Sequence, residues 1–127
     1  MQKQIEQFFS DLGNRGHDPR LRRISGVVRF DIINGAERES CFVTVNAGDV
    51  AVTAEGPSPN AVLAATESVF AQLINRGEWF AAFLRGDLVT KGDYLLIDRL
   101  SIVIFPGPPD ALGPRKWQER KRQCPTG

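Results

Sequence analysis

The chain contains 127 residues, of which 42% are hydrophobic and 24% are charged, as is typical of one globular domain. The net charge is +1, but residues 1–112 carry a net charge of −3 and residues 113–127 carry +4. The acidic character of residues 1–112 argues against nucleic-acid binding. No segment has the length and apolar character of a membrane span or signal peptide. We therefore expect a cytoplasmic protein that binds no nucleic acid.

The N-terminal segment has the hydrophobic periodicity of a short amphipathic helix. Between Ile5 and Leu12, apolar residues follow the i, i+3, i+4, i+7 spacing of one helical face, and Gly13 closes the run. The stretch that follows, residues 14–23, is mostly polar and contains glycine and proline. We interpret this stretch as a loop that precedes the first strand.

After this loop the periodicity changes to two, which is the signature of β-strands. Val28, Phe30 and Ile32 are predicted to face one side of the first strand, and Arg29 and Asp31 are predicted to face the other. Two further alternating runs follow, each separated from the one before it by a turn sequence. Together the three runs predict a β-meander.

The second half of the chain predicts a fourth strand, two short helices, a last strand and a last helix. The alanine-rich residues 61–66 are also compatible with the start of a helix, but a strand is favoured because Thr66 suits an N-cap. Thr66 and Asp93 precede two of these helices and are interpreted as their N-caps. Strands joined as hairpins and helices grouped together predict an α+β fold, with helices packed on one face of a five-stranded, mainly antiparallel sheet. The predicted elements of this half cover residues 61–66, 69–74, 79–84, 88–91 and 94–105.

The residue types that catalysis needs are not arranged for it. The only histidine, His17, lies in the polar loop without a neighbouring nucleophile, and with two distant cysteines it cannot build a metal site. Asp87 and Asp93 suit turn and cap positions, so a noncanonical catalytic site formed by them and Arg99 is the least favoured alternative. We therefore predict no enzyme, no catalytic residue, no cofactor and no metal.

The helices carry more apolar and aromatic residues than packing on a sheet requires. Four aromatic residues lie between Phe70 and Phe83, and apolar residues surround the last helix on several sides. Either this helix is buried on several sides, or part of its surface faces a cavity that a ligand fills. Composition alone favours an ordinary core.

Several segments, taken together, resemble a known family from about residue 2 to residue 109. These segments are residues 28–32, 42–45, 48–52, 70–73, 76–78, 84–88, 92–93 and 105–109. Their order and spacing are similar to those of small stand-alone bacterial members of the sterol carrier protein type 2 family. The resemblance implies a twisted five-stranded sheet, helices on one face, and an elongated hydrophobic tunnel between them. Members of this family bind sterols, fatty acids or fatty acyl-CoA.

On this resemblance we interpret residues 1–110 as a lipid-binding domain. The expected function is noncovalent binding or transfer of a long-chain lipid or sterol in the tunnel, by a monomer or weak homodimer. The alternative is an accessory module of the same fold that docks to a partner enzyme without carrying lipid. The candidate residues that line the tunnel are Phe70, Leu73, Ile74, Trp79, Phe80, Phe83, Leu88, Leu96, Leu100 and Ile104.

Residues 111–127 are interpreted as a basic C-terminal tail that lies outside the resemblance. A solvated tail is the favoured interpretation, because charge runs at chain ends are commonly solvated. The alternative is contact with an anionic membrane, where each basic residue contributes about 1 kcal/mol and a tryptophan anchors at headgroup level. The candidate membrane contacts are Arg115, Lys116, Trp117, Arg120, Lys121 and Arg122.

Deletion of residues 113–127 tests the membrane-contact hypothesis. If the tail contacts membranes, the deletion should slow lipid transfer from anionic vesicles at low salt, while lipid affinity in solution stays unchanged. Added salt should slow the intact protein in the same way, because it screens exposed charges. Transfer between fluorescently labelled vesicles measures the rate, and equal rates with and without the tail would support the solvated tail.

Overall fold

The computed structural model describes residues 2–106. The predicted membrane contacts, from Arg115 to Arg122, lie outside this part of the chain, and the domain boundary at residue 110 stays a prediction. Residues 2–106 include no helix with both the length and the apolar character needed to cross a bilayer. The elements are α1 (Lys3–Arg15), a short 3-10 helix (Pro19–Leu21), β1 (Ser25–Asn34), β2 (Glu37–Asn46), β3 (Asp49–Thr53), β4 (Ala61–Thr66), α2 (Glu67–Arg76), α3 (Trp79–Arg85), β5 (Leu88–Gly92) and α4 (Tyr94–Ile104).

The five strands form one sheet in the order β3-β2-β1-β4-β5. Three of the four strand pairs are antiparallel, and β1 and β4 pair in parallel, with Val28 opposite Ala61. The α+β fold with a mainly antiparallel sheet is therefore confirmed. Because β1 lies at the centre of the sheet, both of its edges are paired and its inner face reaches the middle of the core.

One face of the sheet packs against the helices, as the alternation of apolar residues predicts. Val28, Phe30 and Ile32 are buried on this face of β1, and Val43 of β2 lies directly opposite Val28. The apolar faces of α1, α2 and α4 cover these strands. Burial of this apolar surface is the main favourable contribution to folding.

Asp31 departs from the predicted pattern. Alternation places it on the helix-free face of β1, where a carboxylate is expected to meet water, yet its side chain is buried. Arg29 donates to both carboxylate oxygens, at 2.9 and 3.1 Å, and the Ser40 hydroxyl donates at 2.7 Å. The charge of Asp31 is therefore compensated by its neighbours on the sheet, which is the condition for burying a carboxylate.

The segment after the first helix is more ordered than the sequence predicts. Helix α1 continues past Gly13 to Arg15 and ends at Gly16, whose φ of 71° is readily adopted by glycine. The predicted loop contains the 3-10 helix, and the Asp18 carboxylate caps it by accepting a hydrogen bond from the Arg20 backbone N–H at 2.9 Å. The longer α1 and the 3-10 helix in the predicted loop both depend on local hydrogen bonds, which hydrophobic periodicity does not reveal.

The two predicted caps are present. The Thr66 hydroxyl accepts a hydrogen bond from the Val69 N–H, and the Asp93 carboxylate accepts one from the Leu96 N–H, each at 3.2 Å. Each bond satisfies one of the amide groups that have no partner within the first turn of a helix. Asp93 therefore has a structural role at the start of α4.

Replacement of Asp93 measures how much this cap stabilises α4. Asp93→Ala should lower the free energy of unfolding by about 1 kcal/mol, because the Leu96 N–H loses its acceptor. Asp93→Asn is the matched control, since asparagine caps helices about as well as aspartate. Urea unfolding followed by circular dichroism gives both values. Equal destabilisation by the two substitutions would show that the carboxylate charge matters and the cap does not.

Candidate functional site

The structure places most of the predicted lining residues in the hydrophobic core beneath the helices. Seven are buried, Ile74 and Phe83 are half-buried against the core, and Phe80 is 48% exposed. In this arrangement their side chains pack on one another and on the sheet, so the tunnel implied by the resemblance stays a prediction. The seven buried residues are Phe70, Leu73, Trp79, Leu88, Leu96, Leu100 and Ile104.

An aromatic cluster fills one end of the space between the helices and the sheet. Its five rings have centroid separations of 5.2 to 6.3 Å, and Phe70 contacts all four of the others. The cluster joins α1, α2, β1 and the end of α4, so this end of the core is firmly packed. Its members are Phe8, Phe9, Phe30, Phe70 and Phe105.

A second aromatic cluster lies at the seam between α3 and α4, and it is more exposed. Phe83 is 5.8 Å from Trp79 and 5.4 Å from Tyr94, measured between ring centroids, and Phe80 is 6.2 Å from Phe83. Phe80 and Tyr94 both reach solvent, whereas Trp79 is buried. Tyr94 was not among the predicted site residues, although its position in the first turn of the last helix is visible in the sequence.

Helix α3 is the shortest α-helix of residues 2–106. It has seven residues, about two turns, which is too short to be stable without tertiary contacts. Glu78 precedes it with a φ of 54° and provides no side-chain cap, and Gly86 ends it with a φ of 79°. A pocket of about 190 Å³ separates α3 from α2, and Leu73 and Ala82 are among the residues that line it. Helix α3 therefore depends on its tertiary contacts to stay folded.

On the other side of α4, an open groove of about 550 Å³ lies between this helix and the 3-10 helix. None of the ten predicted lining residues borders it. Its walls combine four arginines with two isoleucines, a chemistry that suits an acidic group attached to an apolar one. The sequence carries a signal for it in the closely spaced arginines of residues 20–23, which lie in the predicted polar loop. The lining residues are Pro19, Arg20, Arg22, Arg23, Ile24, Arg99 and Ile102.

The four arginines of this arginine groove differ in their partners. The Arg20 guanidinium donates to Asp18 at 3.0 and 2.7 Å and lowers the pKa of that carboxyl to about 2. Within residues 2–106, no carboxylate forms an ion pair with Arg22, Arg23 or Arg99. These three arginines therefore give the groove positive charge that has no counter-ion in the described part of the protein.

The other side chains considered for catalysis or metal binding form ordinary surface ion pairs or are partly buried. His17 and Asp49 form an exposed pair at 2.8 Å, and Asp87 pairs with Arg85 at 2.8 Å. Burial raises the pKa of the Cys41 thiol. The raised pKa favours the protonated thiol, which is a poorer nucleophile than the thiolate. In the described ranges, no three His, Cys, Asp or Glu side chains lie where they would hold a metal ion.

The comparisons with protein-family models and with solved structures agree with each other. The model described as the SCP-2 sterol transfer family matches residues 5–104, and no curated protein matches the chain significantly. A structure described as UbiJ-SCP2 ubiquinone synthesis protein is similar, with a TM-score of 0.59, 20% identity, and coverage of 79% of this chain and 89% of its own. Sterol carrier protein domain 2 of Helicoverpa armigera has a TM-score of 0.60 and 19% identity, and the match covers 79% of this chain and 84% of its own. Palmitated SCP2L2 from Aedes aegypti has a TM-score of 0.59 and 21% identity, and the match covers 79% of this chain and 89% of its own.

The lowered pKa of Asp18 predicts an acid-dependent loss of stability. Because its pKa is lower in the folded state than the usual value near 4, the carboxylate stabilises the fold above pH 4 and loses this effect as pH falls toward 2. The contribution at neutral pH should be on the order of 2 kcal/mol. Urea unfolding of the parent and of Asp18→Asn measures it. The stability difference between the two proteins should shrink from pH 5 to pH 2, and a constant difference would contradict the assignment.

Proposed function

The chain belongs to the SCP-2 sterol transfer family, and we propose that it binds one amphipathic lipid reversibly, with an acidic head in the arginine groove. The observation that carries this proposal is a set of three arginines, beside two isoleucines, that pair with no carboxylate of residues 2–106. The guanidinium group forms paired hydrogen bonds to carboxylates and phosphates. Arg22, Arg23 and Arg99 are therefore suited to a fatty acid or to a phosphate-bearing lipid such as a fatty acyl-CoA.

The apolar chain of the ligand is proposed to pass beneath α4. Val103 follows Arg99 by one helical turn and is buried, so it leads from the groove toward the inner face of the helix. Leu100 and Ile104 continue that face into the core, and both are among the residues predicted to line the tunnel. The ten predicted residues would then contact ligand after the core has adjusted to admit it.

Room for the chain is proposed to come from movement of α3. This helix is short, is flanked by Gly77 and Gly86 with positive φ, and has a pocket at its junction with α2. Burial of an acyl chain contributes at most ~0.8 kcal/mol for each methylene, from which the costs of ordering and of core rearrangement are subtracted. A chain of common fatty-acid length therefore supplies enough energy for binding without covalent chemistry.

A second candidate function, docking to a partner protein without a lipid, is favoured by the outer face of α3. Phe80 and Leu84 share this face and are 48% and 67% exposed. Exposed apolar residues that lie together often mark a protein contact. A protein that binds no lipid probe and carries none when purified from its host would favour this candidate over lipid binding.

Replacement of Arg99 tests the arginine groove. Arg99→Gln should weaken binding of a fluorescent fatty acid by about tenfold, because a charge-assisted hydrogen bond is lost. Lys91→Gln is the matched control, since it removes an exposed positive charge on β5, away from the groove. Binding of the corresponding fatty alcohol should change little in either variant. Equal fatty-acid affinity of the parent and Arg99→Gln would contradict an acidic head in this groove.

A further inference from the structure

Ser101 is a polar residue in an apolar position. It lies on α4, its side chain is fully buried, and its hydroxyl has no hydrogen-bond partner within residues 2–106. The other two buried polar side chains of the described residues, Asp18 and Asp31, are both held by arginines. Ser101 is thus the buried polar group in this part of the chain whose hydrogen bonding is incomplete.

An unpartnered hydroxyl at this position is unfavourable for the protein alone. Burial of a hydroxyl without a partner costs free energy, and serine also favours a helix less than alanine does. A serine in a helix commonly donates to the carbonyl one turn earlier, but the Ser101 hydroxyl makes no such bond. An alanine would therefore suit the free protein better.

The position of Ser101 on α4 shows which side of the helix it faces. It follows Tyr94 by seven residues, or about two turns, and so shares the face on which Tyr94 contacts Trp79 and Phe83 of α3. Arg99 precedes it by two residues, which is roughly 200° around the helix. Ser101 and the arginine groove therefore lie on opposite sides of α4.

We infer that the Ser101 hydroxyl binds a neutral oxygen carried on the apolar part of the ligand, beyond the point where the chain passes beneath α4. This inference rests on the proposed function and names the ligand class: an acidic lipid with a hydroxyl or keto group along its chain. A serine hydroxyl can both donate and accept, so it suits either group. The oxygen is neutral because residues 2–106 contain no buried lysine or arginine to balance a second charge.

Matched fatty acids test this assignment. Stearic acid is compared with a series of hydroxystearic acids that carry the hydroxyl at successive carbons, using displacement of a fluorescent fatty acid. At least one hydroxystearic acid should bind the parent about fivefold more tightly than stearic acid, the gain of one buried hydrogen bond. This preference should disappear in Ser101→Ala, whose affinity for stearic acid should equal that of the parent.

Stability provides the second measurement, because a purely structural role predicts the opposite result. The urea midpoint of Ser101→Ala without ligand should equal or exceed that of the parent, since an unpartnered hydroxyl has been removed. Ser101→Cys, which has nearly the same size and is a weak hydrogen-bond donor, should behave like Ser101→Ala and serves if the alanine variant folds poorly.

Three results would overturn the inference. The first is a hydroxystearate preference that is the same in the parent and in both variants, which leaves lipid binding itself intact. The second is the absence of any such preference in the parent. The third is a lowered urea midpoint in both variants, which would show that the hydroxyl is already hydrogen-bonded in the free protein. Failure of the parent to bind any fatty acid would instead reject the proposed function, and the inference with it.

Discussion

The packing of Phe30 against aromatic rings from three helices is the contact on which the rest of the structure depends. Phe30 lies on the central strand, and it contacts Phe9 of α1, Phe70 of α2 and Phe105 at the end of α4. These helices are thereby fixed on the sheet at one end of the core. Helix α3 has no ring in this cluster, and two of its own aromatic residues, Phe80 and Phe83, remain partly exposed at the seam with α4. One end of the core is thus closely packed with aromatic rings, and the other end is bordered by partly exposed ones.

Helix α4 separates two surfaces of different chemistry. Arg99 lies on the side of the positively charged groove, and the buried Ser101 lies on the opposite side, two turns after Tyr94. Between them, Leu100 and Ile104 form the buried face. The apolar residues that the sequence places all around this helix therefore have distinct surroundings: some contact the sheet, and others, such as Leu95 and Ile102, reach solvent.

The features that the sequence predicts are those determined by near neighbours. Alternation identifies Val28 and Phe30 as core residues, and the position of Asp93 before a helical run identifies a cap. The arginine groove was missed because Arg22 and Arg99 are far apart in the sequence and meet only when α4 docks beside the 3-10 helix. The burial of Asp31 depends likewise on side chains of two strands, which periodicity does not reveal.

The order of the elements along the chain has a consequence for folding and synthesis. The β1-β2-β3 meander consists of contacts between sequence neighbours and can form early, whereas contacts that span longer loops form later. The groove joins residues 19–24 to α4, the last described element, so it is completed only after nearly all of residues 2–106 have left the ribosome. A nascent chain therefore carries most of the groove's positive charge before it has a shaped site for a ligand.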